Sequence, residues 1–228
     1  VQRSHNLYVL SNAAPGRDGD FLTWLQGEQL QSVSALNKVL SAQNFVQHEK
    51  DISGGVSKRL GFKYLSVYEL TLDGAEQASG VIEPIRQLHD SEASAGEVVT
   101  WLYYPASEKV GHDPENQLDF LVLAFGNAVS GKEALFREWY STEHMRHALI
   151  LPTMVSGQYF ELSAYQQPTT SDPGYATLTV YEQEGTLDEL LQGFTQLEEG
   201  DIGGSDTFDI DRFSEWVYFP VTECVSNK

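Results

Sequence analysis

The chain repeats itself. Asn12-Ala13-Ala14-Pro15-Gly16 lies over Asn127-Ala128-Val129-Ser130-Gly131, and the match runs on without a gap for 37 positions at a shift of 115. Identities along it include Phe21/Phe136, Trp24/Trp139, Glu28/Glu143, Ser41/Ser156, Gln43/Gln158 and Phe45/Phe160. Further on, Leu65-Ser66-Val67-Tyr68-Glu69 lies over Leu178-Thr179-Val180-Tyr181-Glu182 at a shift of 113, as a loop two residues shorter requires. The shift returns to 115 where Trp101-Leu102-Tyr103-Tyr104-Pro105 meets Trp216-Val217-Tyr218-Phe219-Pro220. Self-similarity on this scale points to two copies of one supersecondary unit.

Each copy reads in the same order. A first apolar strand (Leu7–Asn12, Phe120–Asn127) leads through Asn-Ala-Xaa-Xaa-Gly turn chemistry into a helix. A second strand (Ser41–His48, Ser156–Ser163), a third (Tyr64–Thr71, Ala176–Gln183), a second helix (Ala75–His89, Leu187–Leu197) and a fourth strand (Val98–Tyr104, Glu215–Phe219) follow. The polar stretch Ala106–Leu118 reads as a linker, dividing the chain into units 1–113 and 114–228. The expected fold class is α+β: two ferredoxin-like βαββαβ repeats, each an antiparallel sheet with both helices on one face. Closing bare face on bare face would form an eight-stranded α/β barrel within one chain and protect the sheet edges.

Helical spacing puts Phe21, Trp24, Leu25, Glu28 and Gln29 on one stripe, and likewise Phe136, Trp139, Tyr140, Glu143 and His144. Glu28 and Glu143 would then need partners, because a buried carboxylate is costly unless bonded. Along the second strands Ser41, Gln43 and Phe45 share one face, as do Ser156, Gln158 and Phe160. A ligand cavity and an ordinary inter-sheet core would both use such a face.

Fourteen Lys and Arg stand against 33 Asp and Glu, a net charge of −19, so phosphate backbones and anionic lipid surfaces are repelled. Neither nucleic acid nor a membrane is an expected partner; a small hydrophobic molecule is, and self-association stays open. The single cysteine, Cys224, leaves no internal disulfide and no multi-cysteine metal site. With no signal-peptide pattern at the start, a cytoplasmic setting is expected. Loops at Ile52–Lys58 and Ile202–Asp206 lack a phosphate-cradling pattern and read as mobile connections.

The stretch Phe136-Arg137-Glu138-Trp139-Tyr140-Ser141-Thr142-Glu143-His144, after a strand and Asn-Ala-Xaa-Xaa-Gly, resembles the dimeric α/β-barrel superfamily and within it the EthD-like group. The first copy departs from that pattern, with Leu25 at the tyrosine and Gln29 at the histidine. The resemblance implies a barrel supplied by one chain. It also implies one of several activities: cofactor-free oxygenation, lactone isomerisation, polyketide cyclisation or haem-dependent peroxide chemistry. Fold alone does not choose among them.

His144 is the first catalytic candidate, since a histidine in a partly dry site moves protons in either direction; a structural histidine would suit the same position. Glu143 is read as its orienter. Trp139, Tyr140, Tyr181 and Trp216 are expected as pocket walls, Tyr68, Tyr181, Trp101 and Trp216 reaching the barrel interior. Asn127 and Gln158 are expected as polar contacts to the ligand. His147, at i+3 from His144, lacks an evident third ligand, so no metal and no cofactor are expected. The reading is a cofactor-independent acid/base enzyme for a small apolar or aromatic carbonyl compound, with a non-catalytic carrier or sensor as the alternative.

Overall fold

The computed structural model describes residues 2–115, 117–167, 172–197 and 204–227. The first half runs β1 (His5–Ala13), α1 (Asp18–Trp24), a π-helical turn (Leu25–Gln29), α2 (Leu30–Ser34), β2 (Val39–Gln47), β3 (Tyr64–Leu70), α3 (Ala75–Ser91), β4 (Ala95–Pro105) and the short β5 (Val110–Gly111). The second runs β6 (Phe120–Gly126), α4 (Glu133–Trp139), a π-helical turn (Tyr140–His144), α5 (Met145–Ala148), β7 (Met154–Leu162), β8 (Thr177–Gln183), α6 (Leu187–Gln196), β9 (Ser214–Pro220) and the short β10 (Val225–Ser226).

Eight strands close into an antiparallel barrel in the order β2-β3-β1-β4-β7-β8-β6-β9, with β9 returning to β2. The two junctions are short. Tyr103, Tyr104 and Pro105 pair with Leu162, Glu161 and Phe160 at one, and Phe45, Val46 and Gln47 with Pro220, Phe219 and Tyr218 at the other. Each is lengthened by the chain beyond it, β5 adding to β7 and β10 to β2, so that no long bare edge is left on those strands. The stretch Ala106–Leu118, read as a linker, therefore contains a strand. Gly111 there has φ 91°, and a Cβ would collide with the Val155 carbonyl, so the strand needs glycine at that point.

Alternation along the strands sorts side chains into two layers. Tyr8, Leu10, Phe45, Trp101, Phe125 and Trp216 point into the barrel, while Leu7, Val9 and Leu102 face Ala78, Val81, Ile82 and Ile85 of α3. On the other side Phe120, Val122 and Val217 face Phe136, Met145, Ala148 and Leu190. Burying each such side chain contributes about 1.5–3 kcal/mol. α6 begins with a capping box in which Thr186 and Glu189 satisfy each other's backbone amides.

Asn12 and Asn127 hold matching turns. Asn12 donates to the Gly61 carbonyl (2.7 Å) and accepts from the Lys63 amide (2.9 Å); Asn127 donates to the Gly174 carbonyl (2.9 Å) and accepts from the Ala176 amide (2.9 Å). Both amides are thus committed to pinning the chain that enters the third strand of their half.

Candidate functional site

The first helix of each half is interrupted at the same place by the π turn. The added residue shifts every later position round the axis. Glu28 and Glu143, expected on the buried stripe, are consequently exposed, and Gln29 and His144 turn toward the sheet. Glu143 stands on the solvent side, which removes the buried-carboxylate argument for it as an orienter. At the second turn Ser141 and Thr142 donate to the carbonyls of Arg137 and Glu138, satisfying acceptors that the widened turn frees.

The His144 ring is half-buried, its centroid 4.8 Å from Trp139 and 4.4 Å from Tyr140. Tyr140 is buried and also meets Phe136 at 5.2 Å and Tyr159 at 5.6 Å. The sheet beneath supplies two more groups. Tyr181 of β8 pairs with Val122 and Glu215 of β9 with Ala124, and Val122 and Ala124 both face the helices. Tyr181 and Glu215 therefore rise from the helix-facing side.

These groups sit among others that shift their titration. Desolvation, then the charge of Asp51, pushes the Glu215 carboxyl up to about 7. Burial, then the charge of Glu215, raises the Tyr140 phenol to about 12, and burial followed by Tyr140 lifts Tyr181 well above the ordinary range. Asp51 itself stays ionised. Its carboxylate accepts from the Ser53 hydroxyl (2.6 Å) and from the amides of Ser53 and Gly55 (both 2.7 Å), which hold its pKa down.

Asp51 belongs to the first half. The Ile52–Lys58 segment, read as a mobile connection, is tied down across the barrel: Ile52 packs against the helix-side core of the second half, and Ser57 bonds both the amide (2.6 Å) and the carbonyl (3.2 Å) of Glu215. Sequence spacing alone does not reveal this because the contacts are made 158 residues away. Of the Ile202–Asp206 loop, Ile202 and Gly203 lie outside the described residues.

The matching place in the first half has different chemistry. Gln29 donates to the Tyr68 hydroxyl, and Asn44 donates to the Gln29 side-chain carbonyl (2.9 Å) and the Leu25 carbonyl (2.7 Å), all fully buried. Thr100 stands where the repeat places Glu215. One half thus carries a buried amide and hydroxyl network, the other a histidine, a carboxyl and two phenols.

Gln158 and Trp216 are elsewhere. Trp216 pairs with Leu123, one residue out of step with Val122, and so points into the barrel with Trp101; its indole donates to the Lys58 carbonyl at 3.1 Å. Gln158 lines a cavity of about 440 Å³ between the two sheets. Tyr68 and Tyr181, expected in the interior, face the helices instead, because adjacent strand positions alternate sides. On the helix side a cleft of about 410 Å³ reaches Phe136 and Tyr159, with Asn127, Arg137 and Glu161 on its rim. Among the described residues no group of three metal-ligating side chains converges, at His147 or elsewhere.

No protein-family model matches the chain, and no curated protein matches it. Solved structures do. The chain is similar to a protein from Fusobacterium nucleatum provisionally assigned as a monooxygenase (7% identity, TM-score 0.60, covering 100% of this chain and 96% of that one). It is also similar to an anthrone oxidase-like protein (9%, 0.59, 99% and 94%) and to a protein provisionally assigned as a chlorite dismutase (11%, 0.52, 96% and 95%). At these identities the likeness is one of fold: the chain is an α/β barrel of the dimeric type, with all eight strands drawn from one polypeptide. No helix among the described residues is long and apolar enough to cross a membrane.

Proposed function

We propose that the chain is an enzyme acting by proton transfer on a small, largely apolar carbonyl or aromatic molecule at the helix-facing side of its second half. The observation that carries this reading is the contrast at two matched positions around a shared tyrosine, Tyr68 or Tyr181: Gln29 and Thr100 on one side, His144 and Glu215 on the other. A structural role needs only hydrogen-bonded neutral groups like those of the first half. Titratable groups at the same place, with a carboxyl brought near neutrality, suit acid/base work.

In this reading His144 accepts a proton from carbon next to a carbonyl or conjugated with one, and the electron pair of that bond moves onto the carbonyl oxygen as an enolate. Glu215 in its protonated form, with the phenols of Tyr140 and Tyr181, supplies hydrogen bonds to the developing negative charge. Trp139 and Tyr140 wall the substrate; the cleft beside Phe136 and Tyr159 opens on the same helix-facing side, and its lining does not include His144, Tyr181 or Glu215. An enolate can isomerise, cyclise, eliminate a leaving group or react with dioxygen, so the step serves several reaction classes. No resident cofactor enters the scheme. The EthD-like resemblance of the motif ending in His144, and descent of the halves from one duplicated ferredoxin-like unit, belong to the same proposal, as does a cytoplasmic setting.

Anthrone, after which one structural neighbour is named, is a suitable first probe, because its C10 methylene protons are acidified by the carbonyl conjugated with them through the aromatic rings. The test is its consumption in air by the protein and by His144→Ala and Glu215→Gln, alongside a panel of aromatic ketones and lactones. Turnover by the parent and loss in both variants supports the reading; equal turnover by His144→Ala defeats it. The inter-sheet cavity favours a second reading, a carrier or sensor, in which a bound molecule is recovered unchanged.

A further inference from the structure

The cavity between the sheets is separate from the His144 site and has its own chemistry. Phe45, Phe160, Val67 and Val180 give it apolar walls, and Glu69 and Glu182 stand at its rim. At 440 Å³ it falls in the ~300–1,000 Å³ range of small-molecule sites.

Its two cations, two of its serines and both glutamine amide groups are already engaged as donors. Arg3 bonds Glu69 at 2.8 Å and also the Gln158 side-chain carbonyl; Ser41 donates to Glu69 at 2.8 Å and Ser156 to Glu182 at 2.6 Å. Lys109 pairs with Glu182 and Asp113, both at 2.5 Å. The amide groups of Gln43 and Gln158 donate to the carbonyls of Thr222 (3.0 Å) and Ser107 (2.9 Å).

Acceptors are left over. The side-chain carbonyl of Asn6 lines this cavity, is fully shielded, and has no hydrogen-bond partner, although Asn6 as a residue is only 5% exposed. An unsatisfied buried acceptor costs about 1–3 kcal/mol, so a group that donates to it has a ready place. The side-chain carbonyl of Gln43 and one oxygen of Glu182 likewise accept nothing from the described residues. Asn6 donates to the Tyr8 hydroxyl at 3.3 Å; burial first, and the charges of Glu69 and Glu182 as well, raise that phenol, which places these groups around one floor.

Charge agrees with the count of acceptors. Arg3 and Lys109 face Glu69, Glu182 and Asp113, which leaves the lining with one negative charge in excess, inside a chain of net charge −19. A carboxylate or phosphate would meet a rim whose two cations are already paired with carboxylates. We propose that the inter-sheet cavity binds a small primary ammonium compound with an apolar body, its N–H groups on the Asn6 carbonyl and the neighbouring carboxylate rim and its body between Phe45 and Phe160.

Calorimetric titration with 2-phenylethylamine, 2-phenylethanol and 3-phenylpropionate tests this, since the three share a body and differ in the head group. The amine is expected to saturate one site, the alcohol to bind at least about tenfold more weakly and the carboxylate not at all. Asn6→Leu and Glu182→Gln should each weaken the amine about tenfold. Val180→Phe, which fills the space, should abolish binding, and His144→Ala should leave it unchanged. Thermal melts establish that each variant is folded. The proposal is overturned if no probe binds, if the alcohol or the carboxylate binds as well as the amine, or if folded Asn6→Leu and Val180→Phe proteins keep full affinity.

Discussion

Gln29 and His144 occupy the same position at the ends of matching π turns, yet Gln29 is locked to the Tyr68 hydroxyl while His144 rests against the rings of Trp139 and Tyr140. The two π turns thus provide an internal control: matching places in the fold, and two chemistries.

Removing each side chain should separate those roles. His144→Ala should lower kcat by roughly 100-fold, the scale of a lost general base, with little change in melting temperature. Gln29→Ala should leave kcat near the parent value but cost about 2–3 kcal/mol of stability, because Asn44 and Tyr68 lose a buried partner. Chemical denaturation and steady-state kinetics on both variants check this.

Glu215 makes stability fall with rising pH. Its folded pKa of about 7 lies above the ordinary carboxyl value of 4.5, so the folded protein holds the proton more tightly than the unfolded chain. The cost of ionising it grows from pH 4.5 to about 7 and is then constant, at about 3 kcal/mol. Glu215→Gln should therefore be more stable than the parent at pH 8 by up to that amount and no more stable at pH 4. Urea denaturation at the two pH values decides it.

Asp51 acts on Glu215 from the other half, so Asp51→Asn should lower the Glu215 pKa. The limb of the pH–rate profile that requires protonated Glu215 should move to lower pH, while kcat on its plateau changes little. A profile that does not move would show that the loop is only a structural cover.

His89 works in the opposite sense. It is fully buried against Trp24, at 5.0 Å, and burial lowers its pKa from 6.5 to about 4. The unfolded chain then binds the proton more readily, so stability is lost as pH falls from 6.5 towards 4, by roughly 3 kcal/mol. His89→Leu should flatten that acid slope, seen as a smaller difference between melts at pH 7 and pH 4.5.

Much of this was legible in the residues. Periods of two and of 3.6, doubled by the repeat, place all eight barrel strands, and the Ser41, Gln43, Phe45 face with its partner does line a cavity. The π turns are not legible, because Glu28 and Glu143 satisfy a regular helical stripe as well as their neighbours do; only backbone geometry shows which residue is squeezed outward. Glu215 reads in the sequence as no more than the first residue of an apolar strand. Its signal was present, as a carboxylate at a position where the first half has Thr100 and where alternation points toward the helices. Val110–Gly111 was hidden for another reason: a two-residue strand has no period to read.

The most direct test of proton transfer at the second half is solvent exchange. Anthrone in D2O under argon, with dioxygen excluded so that no oxidation follows, is monitored by NMR for loss of the C10 proton signal. The account expects the parent protein to accelerate exchange well above the buffer rate, and His144→Ala to return it to that rate. Exchange that the parent does not accelerate, or that His144→Ala accelerates equally, would contradict it.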